Sequence, residues 1–166
     1  MSTQSTTDGE LTKRLLATAA TFIQVFASLN PDTIAPIQAE NYRQEFAPAS
    51  ANGPPPRSRD EFAAHLRHLG EILSGFPVRA KQTWPNPSLR QVVVWADSET
   101  QFYPQFKDND DEEEWRYRGE YMFILTMDQT GEKIEHVLEF LDSKGTERLR
   151  GLMARARKMK EAVEGK

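Results

Sequence analysis

Apolar residues from Leu11 onward return every three or four positions. Leu11, Leu15, Phe22, Phe26 and Leu29 share one side of a helix. Asp8 is placed to cap it, and the polar residues 1–8 before it read as a disordered tail. "NPDT" at 30–33 ends the helix and starts a short second one, with Pro31 in its first turn. "NYRQEFAPAS" reads as an extended piece that leads into the Pro-rich loop "ANGPPPRS". Ser58 followed by Glu61 forms a capping box for a third helix. Phe62, Leu66, Leu69, Leu73 and Phe76 form its buried stripe, and Gly75 and Pro77 stop it.

After Pro77 the pattern turns strand-like until about Ser143. "VRAKQTW", "LRQVVVWADSETQF", "EWRYRGEYMFILTM" and "EKIEHVLEFLDS" read as four strands in succession. The acidic run "KDNDDEEE" between the second and third is a solvated loop, because it lacks any fixed metal-ligand spacing. "DQTG" is a tight hairpin turn with Gly131 in the left-handed conformation. From Lys144 the chain is basic and helical, with Leu149, Leu152, Met153, Ala156 and Met159 as an apolar stripe. That helix, residues 146–166, packs on the domain (9–145) or on a partner subunit; a membrane-surface or anion-binding role is the minor alternative. Helices, then an antiparallel meander, then a helix make an α+β fold. A curved sheet wrapped around a long helix leaves a cone with a pocket inside.

Composition narrows the partners. A length of 166 residues suits one domain, and a net charge of −4 argues against nucleic acid. The absence of Cys excludes disulfides, thiolate metal sites and cysteine nucleophiles. No apolar run is long enough to span a membrane, and the polar start lacks the apolar core of a signal peptide. A cytoplasmic protein is expected.

Glu139 stands out. It sits within "EHVLEFLDS", among Val137, Leu138, Phe140 and Leu141. A carboxylate in such a run is costly to bury unless it is paired or protonated. If Asp128 pairs with Glu132 across the turn, Glu139 faces Tyr121, Ser143 faces Tyr117, Val137 faces Phe123 and Asp142 faces Arg118. Tyr117, Tyr121 and Glu139 then share a face, while Met122, Ile124, Leu138 and Phe140 line the other. One face lines a pocket and the other is suited to a second subunit. A slip of one residue would bring Glu139 beside Glu120 instead.

His65 and His68 are three apart and flank the apolar stripe of their helix, so a boundary role and a pocket-facing role are both open to His65. His136 reads as a surface or interface residue. Trp84, Trp95 and Trp115 read as core, rim or interface residues, any of which could stack on a ligand. Asp142 either pairs with Arg118, caps the last helix, or is turned inward by a bulge. No His/Glu spacing supports a metal site.

Several of these segments carry a resemblance. "NYRQEFAPAS", the Pro-rich piece with "SRDEFAAHL", and "RGEYMFILTMDQTGEKIEHVLEFLDS" resemble the SnoaL-like branch of the NTF2-like superfamily, in particular its small fungal natural-product members. The resemblance covers roughly residues 11–145. It implies an α+β cone with N-terminal helices in a mostly antiparallel sheet, a central cavity, and a homodimer through the outer sheet face. Family members often carry Asn-Glu-Tyr where this chain has Gly119-Glu120-Tyr121. The resemblance also implies acid–base chemistry without metal or organic cofactor on a polycyclic small-molecule substrate. An early Arg and a last-strand Glu commonly serve such members, and Arg43 and Glu139 stand at matching positions.

On this reading Glu139 is the proton acceptor or donor. Arg43 holds a developing oxyanion, and Tyr121 donates or relays. Tyr117, His65, Trp95 and Phe123 are the expected substrate contacts. An isomerase, a cyclase and a dehydratase-type lyase all fit. The alternatives are a buried structural Arg43–Glu139 ion pair, and a non-catalytic ligand-binding or protein-assembly module on the same cone.

Overall fold

The computed structural model describes the backbone of residues 2–165 and the side chains of residues 7–165. Its helices are α1 (Ser2–Ser28), α2 (Arg59–Gly70), the single-turn α3 (Glu112–Trp115) and α4 (Ser143–Glu164). Its strands are β1 (Gln38–Ala47), β2 (Arg57–Ser58), β3 (Leu73–Gly75), β4 (Val78–Asn86), β5 (Gln91–Glu99), β6 (Gln101–Phe102), β7 (Arg118–Met127) and β8 (Ile134–Leu141). Six of them form one sheet in the order β2-β1-β8-β7-β5-β4. Only the β1–β8 pairing is parallel; the others are antiparallel. The α+β cone expected from the sequence is the fold observed.

α1 lies along the concave side. Its Leu15, Phe22, Phe26 and Leu29 are buried, as the spacing requires. Phe22 and Phe26 set their rings against Phe123 of β7, with centroids 5.4 and 6.2 Å away. The helix does not begin at Asp8. It runs from Ser2 through residues expected as a disordered tail, and the Thr12 hydroxyl bonds back to the Asp8 carbonyl at 2.8 Å, a four-residue reach that a helix provides. Met1 lies outside the described residues.

Ser58 caps α2 as expected, its side chain accepting the Glu61 N–H. The helix stops at Gly70, earlier than the Gly75 expected. Leu73 and Phe76 are buried, but Leu73 reaches the core from β3, paired with Phe102. Helical spacing and burial coincide there although the backbone has already left the helix. The long second strand breaks at Thr100, whose N–H turns to the Tyr117 carbonyl at 3.0 Å. The expected start of the third strand is instead α3, capped by Asp111.

The β7–β8 hairpin corrects the expected register. Asp128 N–H bonds the Lys133 carbonyl at 2.8 Å, so the turn holds one residue more than expected. A bulge between Thr126 and Met127 adds another. Glu139 therefore faces Phe123 instead of Tyr121, Tyr121 faces Leu141, and Val137 faces Leu125. The two increments sum to an even shift, so every side chain keeps its predicted face. Gly131 takes φ +77°, as the turn demands.

α4 closes the open end of the cone. Leu149, Leu152 and Ala156 are buried. Arg155 stacks over Trp115, 4.7 Å from the ring centroid, and pairs with both Asp108 and Glu114. The acidic run thus anchors the basic helix. Asp142 does not pair with Arg118; its side chain caps α4 through the Gly145 N–H at 3.1 Å. Among the described residues no helix is long and apolar enough to cross a membrane.

Candidate active site

Glu139 points into the cone and is 9% exposed. Its neighbour on the sheet is β1, whose Phe46 lies opposite it and whose Gln44 lies opposite Val137. Gln44 is buried and gives its Nε2–H to Glu139 Oε2 at 3.0 Å. Burial pushes the Glu139 carboxyl up to about 7, and the positive charge of Arg57 together with the Gln44 bond moderates that rise.

A cavity of about 180 Å³ opens in front of this carboxyl. Gln44, Tyr121, Glu139 and Leu141 form its sheet wall. Phe62, His65 and Leu69 of α2 form a second wall, with Phe26 and Phe76 at the base. Thr146, Leu149, Arg150 and Met153 of α4 form the roof with Pro54, and Arg57 borders it. Arg150 ties roof to loop, donating to the Ala51 and Asn52 carbonyls at 2.7 and 2.9 Å.

Tyr121 and His65 are brought to the cavity as expected. The Tyr121 hydroxyl accepts from Ser98 Oγ at 3.1 Å. Burial, followed by Tyr117, pushes its pKa far up, so it remains a phenol and a potential donor. Burial beside Arg57 lowers His65 to about 3, leaving a neutral imidazole on the wall.

Tyr117 is buried but stands behind Tyr121, not on the cavity wall. Gly119 explains the packing. A Cβ there would lie 2.6 Å from the Tyr121 hydroxyl and 2.7 Å from that of Tyr117. The two phenols fill the space that a side chain at position 119 would need. Phe123 faces inward as expected, but it sits deeper, against Phe22, Phe26 and Tyr121, and belongs to the core.

Two expectations are overturned. Trp95 lies on the outer face, between the buried Val94 and Ala96, because strand neighbours alternate. Its indole donates to Glu120 at 2.8 Å, and Lys81 sits 3.8 Å from its ring centroid. Arg43 also points outward, to Glu45 at 3.2 Å, because Tyr42 and Gln44 on either side of it point in. No Arg43–Glu139 pair exists. Glu45 also bonds His136 at 2.8 Å on that outer face.

Sequence reasoning missed Gln44 and Arg57. Once Tyr42 is placed inward, strand alternation places Gln44 inward as well, so that signal was available. Arg57 lay in a Pro-rich segment read as loop. Among the described residues, no three His, Asp or Glu side chains gather as a metal site. The wall therefore offers a carboxyl that changes protonation near neutral pH, a guanidinium, a phenol and a neutral imidazole, all within apolar surroundings. Such a set can remove a proton and return it elsewhere.

No family model matches the chain. It is 26% identical over 132 residues to the austinoid biosynthesis clusters protein H of Penicillium brasilianum, covering 78% of this chain and 83% of that one. The BvnE pinacolase of Penicillium brevicompactum superposes with a TM-score of 0.74 at 20% identity, over 87% of this chain and 93% of its own. AusH of Aspergillus nidulans superposes with a TM-score of 0.66 at 22% identity, over 79% and 85%. With this sheet order and this cavity, the chain has the ketosteroid isomerase-like cone fold, and along most of its length it is similar to small proteins of fungal natural-product clusters.

Proposed function

We propose that this protein is an acid–base enzyme that needs no cofactor, an isomerase or cyclase that rearranges a polycyclic natural-product intermediate in its cavity. The observation that carries this reading is the Glu139 carboxyl, buried in an apolar cavity and poised near neutrality at about 7. Such a group is a base in one step and an acid in the next without a large free-energy cost for either form. A purely structural position would be filled more stably by an aliphatic side chain. The names of the similar proteins, one from a biosynthetic cluster and one a pinacolase, support the same class of chemistry. Tyr121, kept as a phenol, supplies a second proton to a substrate oxygen.

The test is turnover in deuterated water with a panel of polycyclic terpenoid and polyketide ketones, read by mass spectrometry. Glu139→Gln is expected to lose about 10²–10⁴-fold in rate while keeping its circular dichroism spectrum. Unchanged turnover in that variant would overturn the reading.

The proposed assembly is a homodimer through the outer sheet face. The pairing places Trp95, Met122 and Phe140 in one cross-strand row and Trp84, Val93, Ile124 and Leu138 in the next. Trp84, Trp95, Met122 and Phe140 are exposed in the single chain. A contiguous apolar surface of that kind favours a self-complementary partner.

A further inference from the structure

We infer that Arg57 is the residue that grips the substrate, and that the ligand it selects is a ring ketone able to form an enolate. This assignment deepens the acid–base reading of Glu139 and rests on it. Arg57 borders the cavity just before the cap of α2, and β2 pairs it with Gln44, the residue bonded to Glu139. Its guanidinium lies over the Phe46 ring, 5.0 Å from the centroid, which fixes the plane of the donors. Among the described residues it makes no hydrogen bond and no close ion pair, although it is only partly exposed. Arg150, also on the wall, is already engaged with two backbone carbonyls.

Arg57 and Glu139 nonetheless feel each other's charge. They line one cavity without meeting at ion-pair distance. A planar cation with unused donors, separated from a carboxyl, leaves room for a substrate oxygen on one side and an acidic C–H on the other. Glu139 as carboxylate takes the proton from the carbon beside the carbonyl. The C–H electron pair becomes the carbon–carbon double bond, and the carbonyl pair moves onto oxygen, where Arg57 holds it. The carboxylic acid then returns the proton to that carbon as the oxygen pair re-forms the carbonyl, or, where a second carbon–carbon double bond is conjugated with the enolate, to the far carbon of the dienolate as the remaining double bond shifts toward the carbonyl.

Dimedone, a single-ring 1,3-diketone ionised at neutral pH, is the probe. The neutral ring ketone 3,3-dimethylcyclohexanone is its control, and calorimetry measures both. The native protein should prefer the enolate by about tenfold or more, since a hydrogen bond to a charged group is worth roughly 1.5–3 kcal/mol. Arg57→Gln should erase that preference, weakening the enolate about tenfold or more and the neutral ketone much less. Arg57→Gln that still prefers the enolate as strongly as the native protein would overturn the assignment. A readout on the native chain covers a variant that fails to fold: dimedone should shield Arg57 from phenylglyoxal in peptide mapping, and unchanged labelling of Arg57 would also overturn it. Glu139→Gln should bind dimedone at least as tightly as the native protein, because a competing negative charge is gone. Loss of turnover and loss of anchoring therefore fail separately.

Discussion

At the scale of single residues, the cost of keeping Glu139 predicts a pH signature. An ordinary carboxylate titrates at 4.5, and burial takes this one to about 7. Between those values the folded protein holds a proton that the unfolded chain has released. Stability therefore falls as pH rises through that window and stays lowered above it. Glu139→Gln should be more stable than the native protein near pH 8 by about 1–3 kcal/mol, with the difference vanishing below about pH 4.5. Urea unfolding at the two pH values checks this. His65 acts in the opposite sense. Its value is lowered from 6.5 to about 3, so the unfolded chain gains a proton first and stability drains away as pH falls through that range. His65→Phe should flatten the acid side of the stability profile. Glu139 was legible in the sequence because a charge inside an apolar run has no inexpensive explanation. Arg57 was not, because an Arg in a Pro-rich loop is ordinary until the fold brings it to Gln44. Arg43 misled for a simpler reason: it is charged and near the right place, but on the wrong side of a strand.

At the scale of elements, some local signals are legible in the sequence, while the Asp8 cap, the length of the hairpin turn and several element ends are not. The Ser58 cap and the left-handed Gly131 are local chemistry, and both stand in the structure. The end of α2 and the β7–β8 register depend on tertiary pairing, which one chain's spacing does not report. Gly131→Ala places a side chain at φ +77° and its Cβ 2.9 Å from Leu11 Cδ1. It should cost about 1–2 kcal/mol, seen as a lower urea midpoint with unchanged slope. α4 makes a different prediction. Arg150→Met removes its hold on the Ala51 and Asn52 carbonyls. Hydrogen exchange of the α4 amides around Leu149–Met153 should accelerate while the sheet amides stay protected.

At the scale of the whole molecule, the size of the cavity sets a condition on what can enter. About 180 Å³ is less than the roughly 300–1,000 Å³ of most ligand pockets, so a polycyclic substrate requires the roof to lift. The Arg150→Met protein should admit dimedone faster in stopped-flow mixing, and an unchanged association rate would argue that the roof is not the entrance. On the outer face, Phe140→Glu places a charge in the middle of an apolar row. Light scattering should show the proposed dimer reduced to monomer, with the fold retained.

The hairpin carries a consequence for descent. Its turn and the bulge at Glu135 each contribute one residue to the offset between β7 and β8. Only their combined parity decides whether Glu139 or its neighbours Leu138 and Phe140 look into the cavity. Insertions and deletions in this loop that preserve the chemistry should thus come in pairs, or singly with loss of the bulge. A lone one-residue change would turn the strand over, exchanging the working surface for the sticky one.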